Sequence, residues 1–297
     1  MKYYFILLFI AVAHCSFGQN FQTELAKHFR SGDTLKQREI LEKWEKENSD
    51  NPELYINYFN FYLDKAKREI TAFSIEQSTK NEKEHINSDD QELDNTENQF
   101  AVNYEIYTQN ALQKIEKGIG KYPDRLDMRL GKIYVLAQNA NWNEYTSEII
   151  RAVRHSSTNN NLWAWTNNEE LPGGKSFFLS TLRTYQSTLF KTGEDSLILN
   201  VRAIANEIFT YYPTNTESLT NISLTYILTN DYDRGMDYLL VAEKINPKDA
   251  EVLSNIAHTY VLKKENSKAI KYYKKVMKQV DKVTAASIKE EIEKLKK

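Results

Sequence analysis

The residues most suggestive of chemistry are Gly173–Ser176, Gly-Gly-Lys-Ser, which resemble the end of a phosphate-binding loop. Such a loop needs another glycine five positions before Gly174, after a buried strand and ahead of a helix. That position is Glu169, and Glu170 adds a second negative charge where phosphates would lie. No β-branched run precedes them. The sequence therefore predicts a turn at Pro172–Gly174 that leads into a helix, and no nucleotide site.

The other reactive residue types also lack a catalytic arrangement. Beyond the first 18 residues the histidines are His28, His85, His155 and His258, and none lies in a His-Glu-x-x-His spacing. No Gly-x-Ser-x-Gly nucleophile elbow occurs, and the single cysteine is Cys15. The sequence therefore predicts a protein without catalytic residues, metal ligands or a cofactor.

The charge balance limits the class of partner. The formal net charge is −2 over 297 residues, so there is no basic excess to neutralise a nucleic-acid backbone. Nine glycines and five prolines are few for this length. Because turns and helix breaks depend on these residues, the composition favours long helices. The net charge argues against nucleic acid as a partner.

The N-terminus has the pattern of an export signal. Lys2 precedes a short apolar core at 5–13, and small residues precede a cleavage site between Gly18 and Gln19. The apolar core is shorter than the ~20 residues that span a bilayer, which disfavours a membrane anchor. Lipidation at Cys15 is a second alternative, but the bulky His14 before it fits poorly. We expect residues 1–18 to be removed and the mature chain, with no transmembrane span, to be secreted or periplasmic.

The C-terminal third contains an internal repeat. Segments 216–247 and 250–280 match in kind at an offset of 34 residues, and Pro213 and Pro247 keep the same offset. The matching pairs are Leu219 with Leu253, Asn221 with Asn255, Ile222 with Ile256, and Tyr226 with Tyr260. This period and pattern resemble the tetratricopeptide repeat, a pair of helices called A and B. The resemblance implies an all-α fold, a right-handed α-solenoid of helical hairpins, with two well-matched repeats at 214–282.

The chain from 19 to 213 resembles this repeat only in its helix spacing. Four helical pairs are predicted there: 21–30 with 34–48, 53–70 with 103–123, a helix around Leu130–Tyr134 with 142–153, and 177–190 with 196–211. A mobile polar loop is predicted at 78–99, because this stretch has almost no large apolar residues. An insertion is predicted at 155–175, and residues 283–297 are predicted to cap the array as a helix.

The resemblance also implies a binding site. In this family the A helices line a groove that holds an extended peptide, and the matching positions here include Asn221, Leu224, Asn255, His258 and Leu262. The two asparagines can hydrogen-bond a peptide backbone, or they can bond only to neighbouring helices. The lysines and arginines with which some family members grip a terminal carboxylate are replaced by Glu, Thr and Ser. The acidic tail of a chaperone is therefore disfavoured as the partner.

Two tryptophans in the insertion, Trp163 and Trp165, allow two interpretations. They contact a partner, as aromatic anchors at interfaces do, or they fill a gap in the array. Together the patterns predict an exported, non-enzymatic scaffold that binds a protein or peptide and no nucleotide. The alternatives are a helical domain that binds a small molecule or glycan near 155–175, and a structural subunit of an envelope complex.

Overall fold

A computed structural model describes residues 20–83 and 90–296. These residues form thirteen α-helices, with two single-turn 3₁₀ helices at Thr166–Asn168 and Asp195–Leu197. The α-helices are α1 (20–31), α2 (Thr34–Glu47), α3 (Pro52–Lys83), α4 (Asp90–Lys121), α5 (Leu126–Gln138), α6 (Trp142–Thr158), α7 (Gly174–Lys191), α8 (Ile198–Tyr211), α9 (Thr216–Leu228), α10 (Tyr232–Ile245), α11 (Ala250–Leu262), α12 (Asn266–Val276) and α13 (Lys282–Leu295).

The helix starts follow from local sequence. Side chains that accept hydrogen bonds from first-turn N–H groups precede seven helices: Asp33, Asn51, Asn141, Asn215, Asp231, Asp249 and Asp281. Such caps satisfy backbone donors that have no partner within the helix. The turns inside the two C-terminal hairpins place Asn230 and Lys264, 34 positions apart, in the left-handed region with φ of 62° and 60°. The repeat therefore extends to backbone conformation.

The described chain divides into two compact units. The first contains residues 20–139 and 162–172, and the second contains 140–161 and 173–296. The helices predicted as a pair around 130–134 and at 142–153, α5 and α6, thus belong to different units.

The first unit has two clusters of buried side chains. One joins α1, α2 and α3 around Leu25 and Trp44, both fully buried, with Phe21 stacked on Trp44 at 5.6 Å between ring centroids. The other joins α3, α4 and α5 around Phe59 and Ile115. Burial of these apolar side chains is the main force that holds the helices together.

The polar stretch predicted as a loop at 78–99 is mostly helical, which corrects that prediction. α3 continues to Lys83 and α4 begins at Asp90, while 84–89 lie outside the described residues. Eight of its 22 residues are Glu, Lys or Gln, which favour helix. Extending an existing helix needs no new nucleus, so α3 and α4 continue into this stretch.

The second unit contains the repeats. The hairpins α9–α10 and α11–α12 pack through Leu219, Leu239 and Ile256, all fully buried. In each hairpin an A-helix tyrosine meets a B-helix tyrosine, Tyr226 with Tyr238 at 5.8 Å and Tyr260 with Tyr272 at 5.7 Å between ring centroids. Next in the chain, α13 buries Ile292 in a cluster with α11 and α12. The prediction of an all-α fold built from helical hairpins is confirmed.

Candidate functional site

The sequence-predicted groove residues lie on one face of α9 and α11, here called the A-helix face. It consists of Glu217, Asn221, Leu224 and Leu228 on α9, with Glu251, Asn255, His258 and Leu262 on α11. In each helix the spacing of three or four residues places these positions on the side opposite the buried Leu219 or Leu253. The face runs from acidic residues at the helix starts, through amides, to leucines at the helix ends.

Charged side chains organise the start of the A-helix face. Arg183 on α7 lies 3.3 Å from Glu217 (Nε to Oε1) and 3.5 Å from Glu251 (Nη2 to Oε2). Burial raises the pKa of Glu217, and the attraction of Arg183 only partly opposes this. One arginine thus pairs with two carboxylates, so this end of the face has more negative than positive charge.

The amides in the middle of the face bear on one of the two interpretations of the asparagines, bonding to neighbouring helices. Asn221 and Asn255 are half-buried, and within the described residues neither side-chain amide has a hydrogen-bond partner. They therefore do not serve to bond neighbouring helices. Each presents one acceptor oxygen and two donor hydrogens to whatever occupies the face.

The far end of the face is apolar. Leu228 is 56% exposed and Leu262 is 36% exposed, and Leu224 lies half-buried between them and the amides. His258 is exposed beside them on α11. An exposed leucine at the same place in two successive repeats forms a recurring apolar contact point.

The central part of the insertion, residues 162–172, packs within the first unit. The backbone of Ala164 hydrogen-bonds to the two residues that flank Arg125. Ala164 N donates to Asp124 O at 2.8 Å, and Ala164 O accepts from Leu126 N at 3.0 Å. Trp163 is only 1% exposed and Trp165 is half-buried. Trp163 is therefore part of the buried core. This corrects its interpretation as a contact for a partner, because a side chain that is buried in the fold cannot reach one.

A buried ion cluster that the sequence did not reveal holds the insertion in place. Arg125, 1% exposed, donates to Glu53 Oε1 at 2.6 Å and to both carboxylate oxygens of Asp127 at 2.8 and 2.9 Å. It also donates to Asn168 at 3.2 Å, and Asn167 N donates to Glu53 at 2.7 Å. Burial opposes the charge of Arg125, but its hydrogen bonds to the carboxylates outweigh burial and raise its pKa.

The glycine–lysine stretch forms a turn and a helix start. Gly173 has φ of 67°, and α7 begins at Gly174. Ser176 Oγ donates to Gly173 O at 2.8 Å, and Lys175 Nζ lies 5.6 Å from the centre of the Tyr212 ring. Both side chains thus engage neighbouring groups of the fold.

Metal-binding clusters and membrane-spanning helices are both absent from the described residues. In residues 20–83 and 90–296, no group of three or more His, Cys, Asp and Glu side chains is arranged to hold a metal ion. Within the same part of the chain, none of the helices combines the length and apolar character needed to cross a membrane.

The hairpins α9–α10 and α11–α12, with their shared 34-residue offset, define a helical repeat protein. Residues 216–249 and 250–279 match the sequence model of the tetratricopeptide repeat. The chain therefore contains tetratricopeptide repeats, and the resemblance seen in the sequence over 214–282 is confirmed.

Several solved structures are loosely similar to the chain. The tetratricopeptide repeat protein YrrB, described as having an unusual peptide-binding site, is 15% identical over 84% of this chain and 97% of its own, with a TM-score of 0.41. A MamA crystal structure is 13% identical over 65% and 96%, with a TM-score of 0.38. The TPR2AB domain of yeast Sti1, in complex with an Hsp90 peptide, is 12% identical over 94% and 97%, with a TM-score of 0.29. No curated protein sequence is significantly similar to the chain.

Proposed function

We propose that this protein is a non-enzymatic scaffold that binds a protein or peptide segment on the A-helix face. The observation that carries the proposal is the pair of unpaired amides, Asn221 and Asn255, at the same place in two successive repeats. A half-buried amide with no partner has lost part of its hydration without gaining a hydrogen bond. A bound backbone restores those bonds, because each peptide unit offers one donor and one acceptor.

The rest of the face supports an extended peptide as the ligand. The amide oxygens of Asn221 and Asn255 accept from peptide N–H groups, and their amide nitrogens donate to peptide carbonyls. Leu228 and Leu262 take up apolar side chains at one end. At the other end the acidic excess around Arg183 favours a peptide with a basic residue.

The test is a selection of random peptides displayed on phage against the purified whole protein, followed by affinity measurement on the enriched sequences. The double variant Asn221→Ala/Asn255→Ala removes the proposed hydrogen bonds. Two neutral hydrogen bonds contribute ~1–3 kcal/mol together, so we expect binding to weaken about 5- to 150-fold. The matched control is Asn206→Ala, the same change at an exposed position on α8.

The selection also shows which outcome contradicts the proposal. If Asn206→Ala weakens binding as much as the double variant, the amides have no special role. If no peptide is enriched, or if every enriched peptide binds the double variant unchanged, the A-helix face is not a peptide site.

We also propose that the protein is exported. The support is Lys2 followed by the apolar core at 5–13 and the small residues before Gln19. Mass measurement of the protein recovered from its native cells tests this, and we expect a chain that starts at Gln19. A chain that retains residues 1–18 contradicts export by this signal, and a lipid on Cys15 identifies the alternative route.

A further inference from the structure

Among the described residues, a helix occupies the furrow between α3 and α4 along only half of its length. α5 lies in this furrow, with Met128 and Val135 packed among Phe59, Ala111 and Ile115. The fit is close, because a Cβ on Gly131 would lie 3.2 Å from Phe59 Cε1. The furrow is therefore shaped to accept a helix.

Beyond the end of α5 the two long helices continue. α5 is followed by Asn139, whose Oδ1 accepts from Tyr104 Oη at 2.8 Å. From the level of Tyr104 and Ile70, α3 runs on to Lys83 and α4 extends back to Asp90. At 1.5 Å per residue this leaves ~20 Å of the hairpin beyond α5, about the length of α5 itself.

The open part of the furrow begins with an apolar floor. Two adjoining surface depressions, of about 310 and 150 Å³, share Ile70 and Tyr104. The larger is also lined by Leu63, Thr108 and Val135, and the smaller by Phe73 and Phe100. Ile70 is 50% exposed. Both depressions are open to the surface, which suits inserted side chains of a partner better than an enclosed small molecule.

One charged group at the rim of the furrow lacks a partner among the described residues. At the rim, Lys67 is exposed and its ammonium group has no ion-pair partner in the described part of the chain.

We propose that an amphipathic helix of a partner protein docks in this furrow, in line with α5. Its apolar side chains at i, i+3 or i+4, and i+7 fill the two depressions, as in other helix-in-groove complexes. An Asp or Glu on its flank pairs with Lys67. The site lies in the first unit, and the A-helix face lies in the second.

The test uses a display library of amphipathic helical peptides of about 14 residues, the length that fills ~20 Å. It is selected against the whole protein. Ile70→Asp places a charge on the apolar floor, and we expect it to weaken the enriched peptides ~10-fold or more. Lys67→Glu changes only the surface charge, and we expect it to weaken peptides that carry an acidic flank and to favour basic ones.

The matched control is Ile106→Asp. Ile106 is 47% exposed, similar to Ile70, and lies two positions from both Tyr104 and Thr108, hence on the opposite side of α4. We expect no effect of this variant on binding. The double variant Asn221→Ala/Asn255→Ala also leaves binding unchanged, so this proposal and the peptide proposal fail independently.

Four outcomes overturn the proposal. The first is equal loss of binding in Ile70→Asp and Ile106→Asp. The second is an enrichment that depends on Asn221 and Asn255. The third is a selection that enriches no helical peptide, together with binding of the dye 1-anilinonaphthalene-8-sulfonate to the wild type and not to Ile70→Asp. This result identifies a small apolar ligand as the occupant instead. The fourth is a dimer in sedimentation that Ile70→Asp converts to a monomer, which identifies a second copy as the occupant.

Discussion

Two glycines near the end of α4 provide a matched test of how closely the first unit is packed. Gly118 is buried and Gly120 is exposed, two positions along the same helix. A Cβ added at Gly118 would lie 2.8 Å from Tyr55 Cβ and 3.0 Å from Met128 Sδ, whereas one added at Gly120 meets no atom within 4 Å. We therefore expect replacement by alanine to have opposite effects at the two positions.

The magnitudes follow from two opposing terms. Alanine is favoured over glycine within a helix by up to ~1 kcal/mol, and this term acts at both positions. At Gly118 the added methyl group overpacks a site closed by the buried Tyr55 and Met128, which costs about 1–3 kcal/mol. Gly120→Ala should stabilise the protein by ~0.5–1 kcal/mol, and Gly118→Ala should destabilise it by ~0–2 kcal/mol.

The assay is urea unfolding followed by tryptophan fluorescence. This signal reports mainly on the first unit, because Trp44, Trp163 and Trp165, three of the four tryptophans, lie in it. We expect the unfolding midpoint to rise for Gly120→Ala and to fall for Gly118→Ala, with the denaturant slope unchanged. Equal stabilisation by both substitutions would refute the close approach of α3, α4 and α5 at Gly118.

The remaining predictions concern buried charge and the two binding sites. Arg125→Leu should destabilise the protein by ~3–5 kcal/mol in urea unfolding, because it leaves the buried Glu53 carboxylate without its ion-pair partner. Adding Glu53→Leu should recover part of this loss. If the double variant recovers none of it, the pairing of Arg125 with Glu53 is contradicted. Because the pKa of Glu217 is raised in the folded protein, ionised Glu217 lowers the free energy of unfolding. This loss of stability is present at neutral pH and disappears well below the unfolded-state pKa of about 4.3. Glu217→Gln should therefore raise the thermal midpoint at neutral pH and lose this advantage on acidification, whereas a lower midpoint at neutral pH would show that the pair with Arg183 dominates. Asn221→Ala/Asn255→Ala should weaken peptide binding relative to Asn206→Ala, and Ile70→Asp should weaken helix binding relative to Ile106→Asp.

Local patterns were sufficient to predict the C-terminal hairpins. The 34-residue offset placed Leu219 with Leu253 and Tyr226 with Tyr260, and the structure places both pairs in equivalent helices. Such a repeat is visible in sequence because each hairpin packs mainly on residues near in the chain. The same offset selected Asn221 and Asn255, but their lack of partners is a three-dimensional property.

Composition alone was a poor guide at 78–99. The stretch has almost no large apolar residues, which predicts a loop, but two formed helices lead into it. The packing of the insertion could not be predicted for a different reason. The bond between Glu53 and Asn167 joins residues 114 positions apart, and Arg125 joins residues 72 and 43 positions away, so no local pattern marks them.

The central claim is that the A-helix face binds a peptide, and site-specific photo-crosslinking tests it most directly. A benzophenone amino acid is placed at His258, exposed on the face, or at Lys271, exposed on α12, and each protein is irradiated with a peptide enriched in the selection. We predict a crosslink from position 258, competed by unlabelled peptide, and little from 271. Equal crosslinking from both positions, or crosslinking from 271 alone, would contradict the account.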